Sequence, residues 1–215
     1  MKKDVIIPLV IGTLICVVGL VFGGFAVVEP QLVKADATST TVTLTVGEEV
    51  SLTVSTSTVA MSPNITMTQD SSIGSCSWTV TTNAQAGYTL DLHADDANCL
   101  DCAATSEYFT DATTTKNTWS NLVDVDSYIF GFSVYGDDVG GWGTGSSCGT
   151  GGTPSATLHY SGFNSTNNIQ VASSTSETSQ TGTATTMCVA AEQGSNVYAP
   201  DGTYTTTITG TAAAQ

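Results

Sequence analysis

The sequence contains no arginine and only four lysines and two histidines, against nineteen aspartates and glutamates among 215 residues. The formal net charge is −15 and the isoelectric point is about 4.1. A surface of this charge repels the phosphate backbone of nucleic acids and anionic lipid headgroups. The composition therefore predicts a protein that does not bind nucleic acid.

Motifs for catalysis are also missing from the sequence. It has no H-E-x-x-H and no recognisable Ser-His-Asp arrangement. His93 and His159 are the only histidines, too few for a zinc site without a second ligand pair. Charged residues make up only 11% of the chain, and Ser and Thr supply most of its polar positions. We predict a non-enzymatic, extracellular β protein.

Helical periodicity is lacking after the N-terminal region, and alternation with a period of two takes its place. The clearest case is residues 76–92, where two alternating apolar runs flank a five-residue connection ending in Gly87. This pattern predicts a hairpin whose apolar face is covered by a second sheet. Trp78, Val80 and Leu90 are expected on that face.

Similar patterns recur along the chain. A second hairpin is predicted for residues 41–46 and 50–54, a strong strand for 128–135, and a final pair for 183–191 and 203–210. Short strands are expected near 65–67, 158–160 and 169–171. Residues 94–121 are expected to be irregular, with a helical turn near 106–109, and the glycine-rich stretch 136–154 to be a long surface loop. Together these predict an all-β protein, an Ig-like or jelly-roll-like antiparallel β-sandwich.

The N-terminus has the features of an export segment. Lys2 and Lys3 precede an apolar run over residues 5–28, and an A-x-A pattern ends at Ala37. This combination predicts a secretory signal, with a single exported domain over residues 38–215. The apolar run is also long enough to span a bilayer, so an uncleaved helical membrane anchor over residues 5–28 is the alternative. In both cases the domain faces outward, at the cell surface or outside the cell.

Six cysteines fit an oxidising compartment. Cys99 and Cys102 are predicted to form a local structural disulfide. Cys148 and Cys188 are the preferred second pair, leaving Cys76 buried and unbonded, and Cys76 with Cys188 is the alternative. Connectivity cannot be deduced from sequence alone.

Two further kinds of site are considered. Acidic pairs at residues 95–96, 124/126 and 137–138 are oxygen ligands of the type that Ca²⁺ prefers, although none has EF-hand spacing. Trp142 and Trp119, if exposed, are candidates for stacking on sugar rings.

The pieces GYTLDLHADD, YIFGFSVYGDD, WGTGSSCG, LHYSGF, TATTMCVAAE and YAPDGTYTTTITGTA resemble a group of secreted β-sandwich surface proteins from small-genome bacteria. The closing strand is also similar to WxL-type and fimbrial-type surface domains, although no tryptophan here has a leucine two positions on. The resemblance covers about residues 40–212 and implies a fold and a location, with no catalytic residue.

Three functions follow from these observations. The first is a structural or adhesive role at the cell surface, without catalysis. The second is a subunit of an extracellular fibre, in which residues 40–46 complete the sheet of a neighbour by strand addition. The third is a carbohydrate-binding module that uses Trp142. The expected partners are therefore other copies of the chain, surface glycans, or the membrane through an uncleaved N-terminal segment.

Overall fold

The computed structural model describes residues 38–95, 100–104, 106–163 and 168–215. The predicted signal or anchor over residues 1–37 lies outside the described residues. A compact unit comprises Val46–Gln215, and residues 38–45 belong to a separate N-terminal unit. No helix of the described residues is long and apolar enough to cross a membrane. The fold of the compact unit is all-β, as predicted.

The described residues of the compact unit form thirteen strands and one helix, a 3₁₀ turn over Trp119–Asn121. In chain order the strands are β1 Val50–Val54, β2 Ser71–Thr82, β3 Tyr88–Ala94, β4 Leu100–Cys102, β5 Glu107–Asp111, β6 Asn117–Thr118, β7 Tyr128–Gly136, β8 Gly149–Thr150, β9 Thr153–Pro154, β10 His159–Tyr160, β11 Ile169–Ser174, β12 Thr183–Gln193 and β13 Ile208–Ala214.

Two sheets make the sandwich. The large sheet has the order β1-β2-β12-β7-β5-β4, and the small sheet has the order β11-β3-β13. Neighbouring strands run antiparallel except β5 and β7, which are parallel. Two-stranded ribbons, β6 with β10 and β8 with β9, complete the fold.

The main core lies between the two sheets, as the alternation predicts. Val80, Leu90 and Leu92 are fully buried in it, and Trp78 is partly buried against it. A second cluster covers the opposite face of the large sheet and includes Trp119 and Tyr160. Because both of their faces are covered, β7 and β12 are buried almost throughout.

The predicted central hairpin is wrong in its pairing. Strands β2 and β3 occupy the predicted positions, but they belong to different sheets and face each other across the core. Both edges of β2 are already occupied, by β1 and β12, so β3 cannot pair with it. Gly87 makes the crossing possible, since it adopts a positive φ of 88° and a Cβ there would collide with the Ser174 carbonyl oxygen.

Other predicted pairings and elements also differ from the structure. Residues 41–46 form no strand, so the first hairpin is absent and β1 pairs with β2 instead. The strands predicted for residues 183–191 and 203–210 do not pair with each other, because β12 lies in the large sheet and β13 pairs with β3. The helical turn expected near residues 106–109 is part of strand β5. Alternation identifies which residues form strands, but several partners are equally compatible with it.

Candidate functional site

The disulfide between Cys148 and Cys188 joins the glycine-rich loop to β12, with a Cα–Cα distance of 5.2 Å. This is the preferred pairing from the sequence. Cys76 lies on the neighbouring strand, but its side chain faces the main core, whereas Cys188 belongs to the cluster on the opposite face. The alternative Cys76–Cys188 pair is therefore excluded by the alternation of side chains across the sheet.

Cys76 and Cys102 are both buried. Cys76 carries no disulfide, and burial raises the pKa of its thiol. A buried thiol of this kind is structural rather than reactive. Cys99 lies outside the described residues, so the Cys99–Cys102 bridge stays a prediction.

Burial of both tryptophans corrects the expectation that they offer free faces for sugar stacking. Trp142 is 1% exposed and Trp119 5% exposed. Trp142 packs against Phe132, with 4.9 Å between ring centroids, and Lys116 Nζ lies 4.0 Å from its ring centroid. Lys116 is the only lysine or arginine after residue 37, and burial lowers its pKa.

The glycine-rich loop is mostly exposed, as predicted, but Trp142 anchors it to the core. Gly143 has a positive φ of 93°, and a Cβ there would collide with the Thr157 carbonyl oxygen. This close approach lets the backbone N–H of Thr144 donate to Thr157 and that of His159 donate to Trp142. The two bonds fix the loop so that Trp142 points inward.

Acidic side chains are used as hydrogen-bond acceptors within the fold. Tyr88 donates its hydroxyl proton to Asp138 Oδ2 at 2.7 Å, and desolvation together with this carboxylate raises the pKa of Tyr88. Tyr128 donates to Glu107 Oε2 at 2.8 Å, a bond that with burial raises the pKa of Tyr128 to about 12. Trp119 Nε1 donates to Glu192 Oε2 at 2.6 Å.

The acidic pairs proposed for Ca²⁺ do not come together. Asp126 accepts a hydrogen bond from Asn196, and Asp95 accepts one from the backbone N–H of Thr207. Across the described part of the chain, no three His, Cys, Asp or Glu side chains are grouped as metal ligands. Asp96 lies outside the described residues.

A depression of about 490 Å³ adjoins the disulfide, and its lining includes Ile73, Tyr135 and Cys148. Polar surface predominates in it. It contains no group of metal ligands and no nucleophile paired with a base among the described residues.

The most unusual surface feature is the N-terminal segment, which we define as residues 40–46. Its apolar side chains are almost fully in solvent: Val42 is 88% exposed, Leu44 85% and Val46 75%. The segment forms no strand, and its backbone groups have no hydrogen-bond partner among the described residues. Alternating apolar and Thr residues are typical of a strand with one buried face, so this stretch has the sequence of a strand without a sheet.

Asn83, at the end of β2, holds the connection that follows the segment. Its Nδ2 donates to the Gly47 carbonyl at 2.8 Å, and its Oδ1 accepts the Glu49 N–H at 2.7 Å. Its own backbone N–H donates to the Glu49 carbonyl. The entry into β1 is therefore fixed, although residues 40–46 before it are unpaired.

An open strand edge is the second part of the candidate site. Among the described residues, strand β13 pairs only with β3. The bonds from Asp95 N–H to the Thr207 carbonyl and from Gln215 N–H to the Gly87 carbonyl show which residues of β13 direct their backbone groups toward β3. Antiparallel pairs alternate, so the odd-numbered residues of β13 bond to β3 and the even-numbered ones face away. The groups on this free edge belong to Ile208, Gly210, Ala212 and Ala214.

Comparisons with protein-family models, with curated proteins and with solved structures find no match to this chain. The candidate site therefore consists of the unpaired segment and the open edge. Of the two, the sequence indicated the segment through its alternation. The edge was missed because the predicted partner of its strand was β12.

Proposed function

We propose that this chain is a non-enzymatic structural protein of the cell surface, whose β-sandwich domain assembles with other copies through strand addition. One observation carries the proposal: residues 40–46 have the sequence of a half-buried strand, and yet Val42, Leu44 and Val46 are 75–88% exposed. An exposed alternating strand is a ready partner for the open edge of another sheet.

The structural role is supported by how the polar groups are used. The carboxylates of Asp138, Glu107 and Glu192 accept hydrogen bonds from aromatic side chains, and these bonds join separate parts of the fold. Such contacts satisfy buried donors and hold the fold in one arrangement. They provide no paired acid and base facing an open cleft, so the proposal includes no catalytic step.

An extracellular location is supported by two features. The N-terminal sequence has the order of a secretory signal or anchor. The Cys148–Cys188 disulfide is of the kind that persists in oxidising compartments. Export by either route places the domain where copies can meet at the cell surface.

Carbohydrate binding is the weaker candidate, because Trp142 and Trp119 are buried. A stacking site needs an accessible aromatic face. A glycan array would still test it, and we expect no binding above background.

Sedimentation velocity on the exported protein tests the proposed function. We expect multimers whose size grows with protein concentration, together with linear assemblies in negative-stain micrographs. A protein that stays monomeric over a wide range of concentration would contradict the proposal. Protease treatment of intact cells should degrade the domain if it is displayed at the surface.

A further inference from the structure

The four outer edges of the two sheets differ in how they are protected. At β4, Asp101 and Thr205 exchange backbone hydrogen bonds of 3.2 and 2.8 Å, which covers that edge. At β11, a bulge lies between Gln170 and Ala172, and Ser173 N–H donates to the Asp138 carbonyl. Bulges and covering segments are the usual means of preventing further strand pairing. Within the part of the chain that the structure describes, the edges of β1 and β13 have neither.

Of the edges of β1 and β13, that of β13 is the better acceptor for an added strand. It contains no proline, charge or bulge, and its even-numbered residues present four N–H and four C=O groups to solvent. It belongs to the three-stranded sheet, and it is the strand of that sheet lying next to β1. A strand added there would extend the small sheet over the inner face of β1, where Leu52 is half-buried and Val54 is 37% exposed.

We propose that residues 40–46 of a second copy of this chain add to the free edge of β13 as an antiparallel strand. This inference rests on the proposed function and names its donor, acceptor and register. Donor and acceptor each have seven residues, so residue 40 pairs with 214 and residue 46 with 208.

Side-chain sizes fit this register. Leu44 is opposite Gly210 and Val42 is opposite Ala212, so these two donor side chains meet small acceptor positions, while Val46 is opposite Ile208. Gly210 lies directly against the Trp78 ring, because a Cβ there would approach the ring to 2.8 Å. Leu44 would therefore cover the half-buried Trp78, whose Nε1 has no hydrogen-bond partner among the described residues.

The opposite face of the added strand also matches. Thr43 and Thr45 would lie beside Thr211 and Thr209, respectively, and cross-strand Thr pairs are favourable on an exposed face.

The charge of the two surfaces also permits the contact. The chain has a formal net charge of −15, but residues 40–46 and Ile208–Ala214 contain no charged side chain. Two acidic copies can thus approach along the uncharged part of each surface.

The interaction is head to tail, since each copy supplies one donor and one acceptor. Such heterologous contacts produce open filaments, or rings where the rotation closes. A parallel arrangement is disfavoured because it is slightly less stable per residue and would place Leu44 opposite Ala212 instead of Gly210.

Disulfide trapping between two tagged full-length chains tests the register. One chain carries Thr43→Cys and the other Thr211→Cys, positions that are exposed in the structure. The two residues would form a non-hydrogen-bonded pair with a Cα separation of roughly 4.5 Å, which permits a disulfide. We expect a reducible band that contains both tags. Ala212→Cys in place of Thr211→Cys is the matched control, and it should give no band because its side chain faces the other side.

A second pair determines the strand direction. Thr45→Cys should cross-link to Thr209→Cys if the added strand is antiparallel, and to Ala213→Cys if it is parallel. A single chain with both Thr43→Cys and Thr211→Cys should form little internal disulfide. A purely internal link would show that the segment closes on its own sheet and would overturn the proposal, as would the parallel result.

Ala212→Pro blocks the edge without removing a bond of the fold. The N–H of Ala212 faces away from β3, and proline is tolerated at such edge positions. We expect the melting temperature of the compact unit to change by less than about 4 °C, with loss of the multimers. Leu44→Asp should also abolish assembly, whereas Thr43→Asp, on the solvent face, should largely retain it.

These experiments separate the two proposals. Wild-type multimers that show no link at the Thr43 and Thr211 positions, and that persist in Ala212→Pro and Leu44→Asp, would overturn the register and leave the proposed function intact. A monomeric wild type would overturn both.

Discussion

Trp78, at the scale of one residue, marks where the core of the sandwich ends. It lies on the core side of the strand with Cys76 and Val80, but it is only partly buried because β13 contributes glycine above it. Its ring therefore forms the boundary between the closed core and the open edge of the sandwich.

Truncation of Trp78 should destabilise the domain strongly. Removal of a core tryptophan typically costs about 3–5 kcal/mol, and we expect Trp78→Ala to be at the lower end because the ring is only half-buried. Thr79→Ala, on the opposite face, should change the free energy of unfolding by about 0.5 kcal/mol or less. Denaturant titrations of the two variants measure this. Equal effects would mean that the ring contributes no more than a surface residue.

Glu192 provides a pH-dependent contribution to stability. Desolvation raises the pKa of its carboxyl group from 4.5, the Trp119 hydrogen bond opposes that change, and the charge of Asp70 adds to it. Since the folded pKa lies above the unfolded one, the folded state binds the proton more tightly. This contribution is complete below the unfolded pKa and is lost as pH rises through the folded pKa.

Glu192→Gln tests this sign. Its amide oxygen still accepts the Trp119 proton, but it does not titrate. As pH rises from about 4 through the folded pKa, the stability of the wild type should fall relative to that of the variant. Urea titrations at each pH measure the difference. A difference that is constant with pH would contradict the assigned direction.

At the scale of the elements, β7 and β12 hold the two clusters together. Phe132 and Val189 face the main core, while Ile129 and Cys188 face the outer cluster. The disulfide continues this connection, because it ties the outer cluster to the loop that buries Trp142. Loss of the bond should therefore affect both faces of the large sheet.

Removal of the disulfide should lower stability substantially. The two cysteines are separated by 40 residues, and the chain-entropy model gives about 4 kcal/mol for a loop of this length. We expect a decrease of up to about that amount for the double variant Cys148→Ala, Cys188→Ala. Chemical denaturation measures it. Reduced wild type is the matched control and should give a similar value, whereas an unchanged midpoint would show that the bond adds nothing to stability.

In monomeric protein, hydrogen exchange should alternate along β13 between protected and rapidly exchanging amides. The amides of Thr209, Thr211 and Ala213 bond to β3 and should be protected, whereas those of Gly210 and Ala212 face solvent and should exchange rapidly. In assembled protein, the two outward amides should become protected. Uniform protection in the monomer would mean that the edge is already covered.

At the scale of the whole molecule, the chain combines an N-terminal sequence typical of export with an acidic, hydroxyl-rich domain. A formal charge of −15 keeps copies apart except where uncharged surface is presented. Assembly through residues 40–46 would therefore be sensitive to changes in a short stretch of sequence and insensitive to most of the surface.

The sequence predicts that the secretory signal ends at Ala37. Mass spectrometry of the exported protein should show a chain that begins at Thr38, since A-x-A precedes it. A full-length product in the membrane fraction would show instead that residues 5–28 are an anchor. Strand addition is compatible with both outcomes, because residues 40–46 remain in the exported part.

Local sequence determined the positions of β2, β3, β7, β11 and β12, because alternation with a period of two reports which residues face a core. It also identified residues 40–46 as a stretch with the pattern of a strand. These inferences need only information carried by neighbouring residues, and the structure agrees with the positions of those five strands.

Which strands pair depends on contacts between distant parts of the chain. A five-residue connection allows either a hairpin or a crossing to the facing sheet, and the choice depended on β12, a hundred residues later, occupying the edge of β2. The same long-range pairing left β13 with a free edge, and the folding of the glycine-rich loop buried Trp142. Strand partners and burial depend on contacts between distant segments. Several segments can compete for the same strand edge, and a local sequence pattern does not show which of them pairs there.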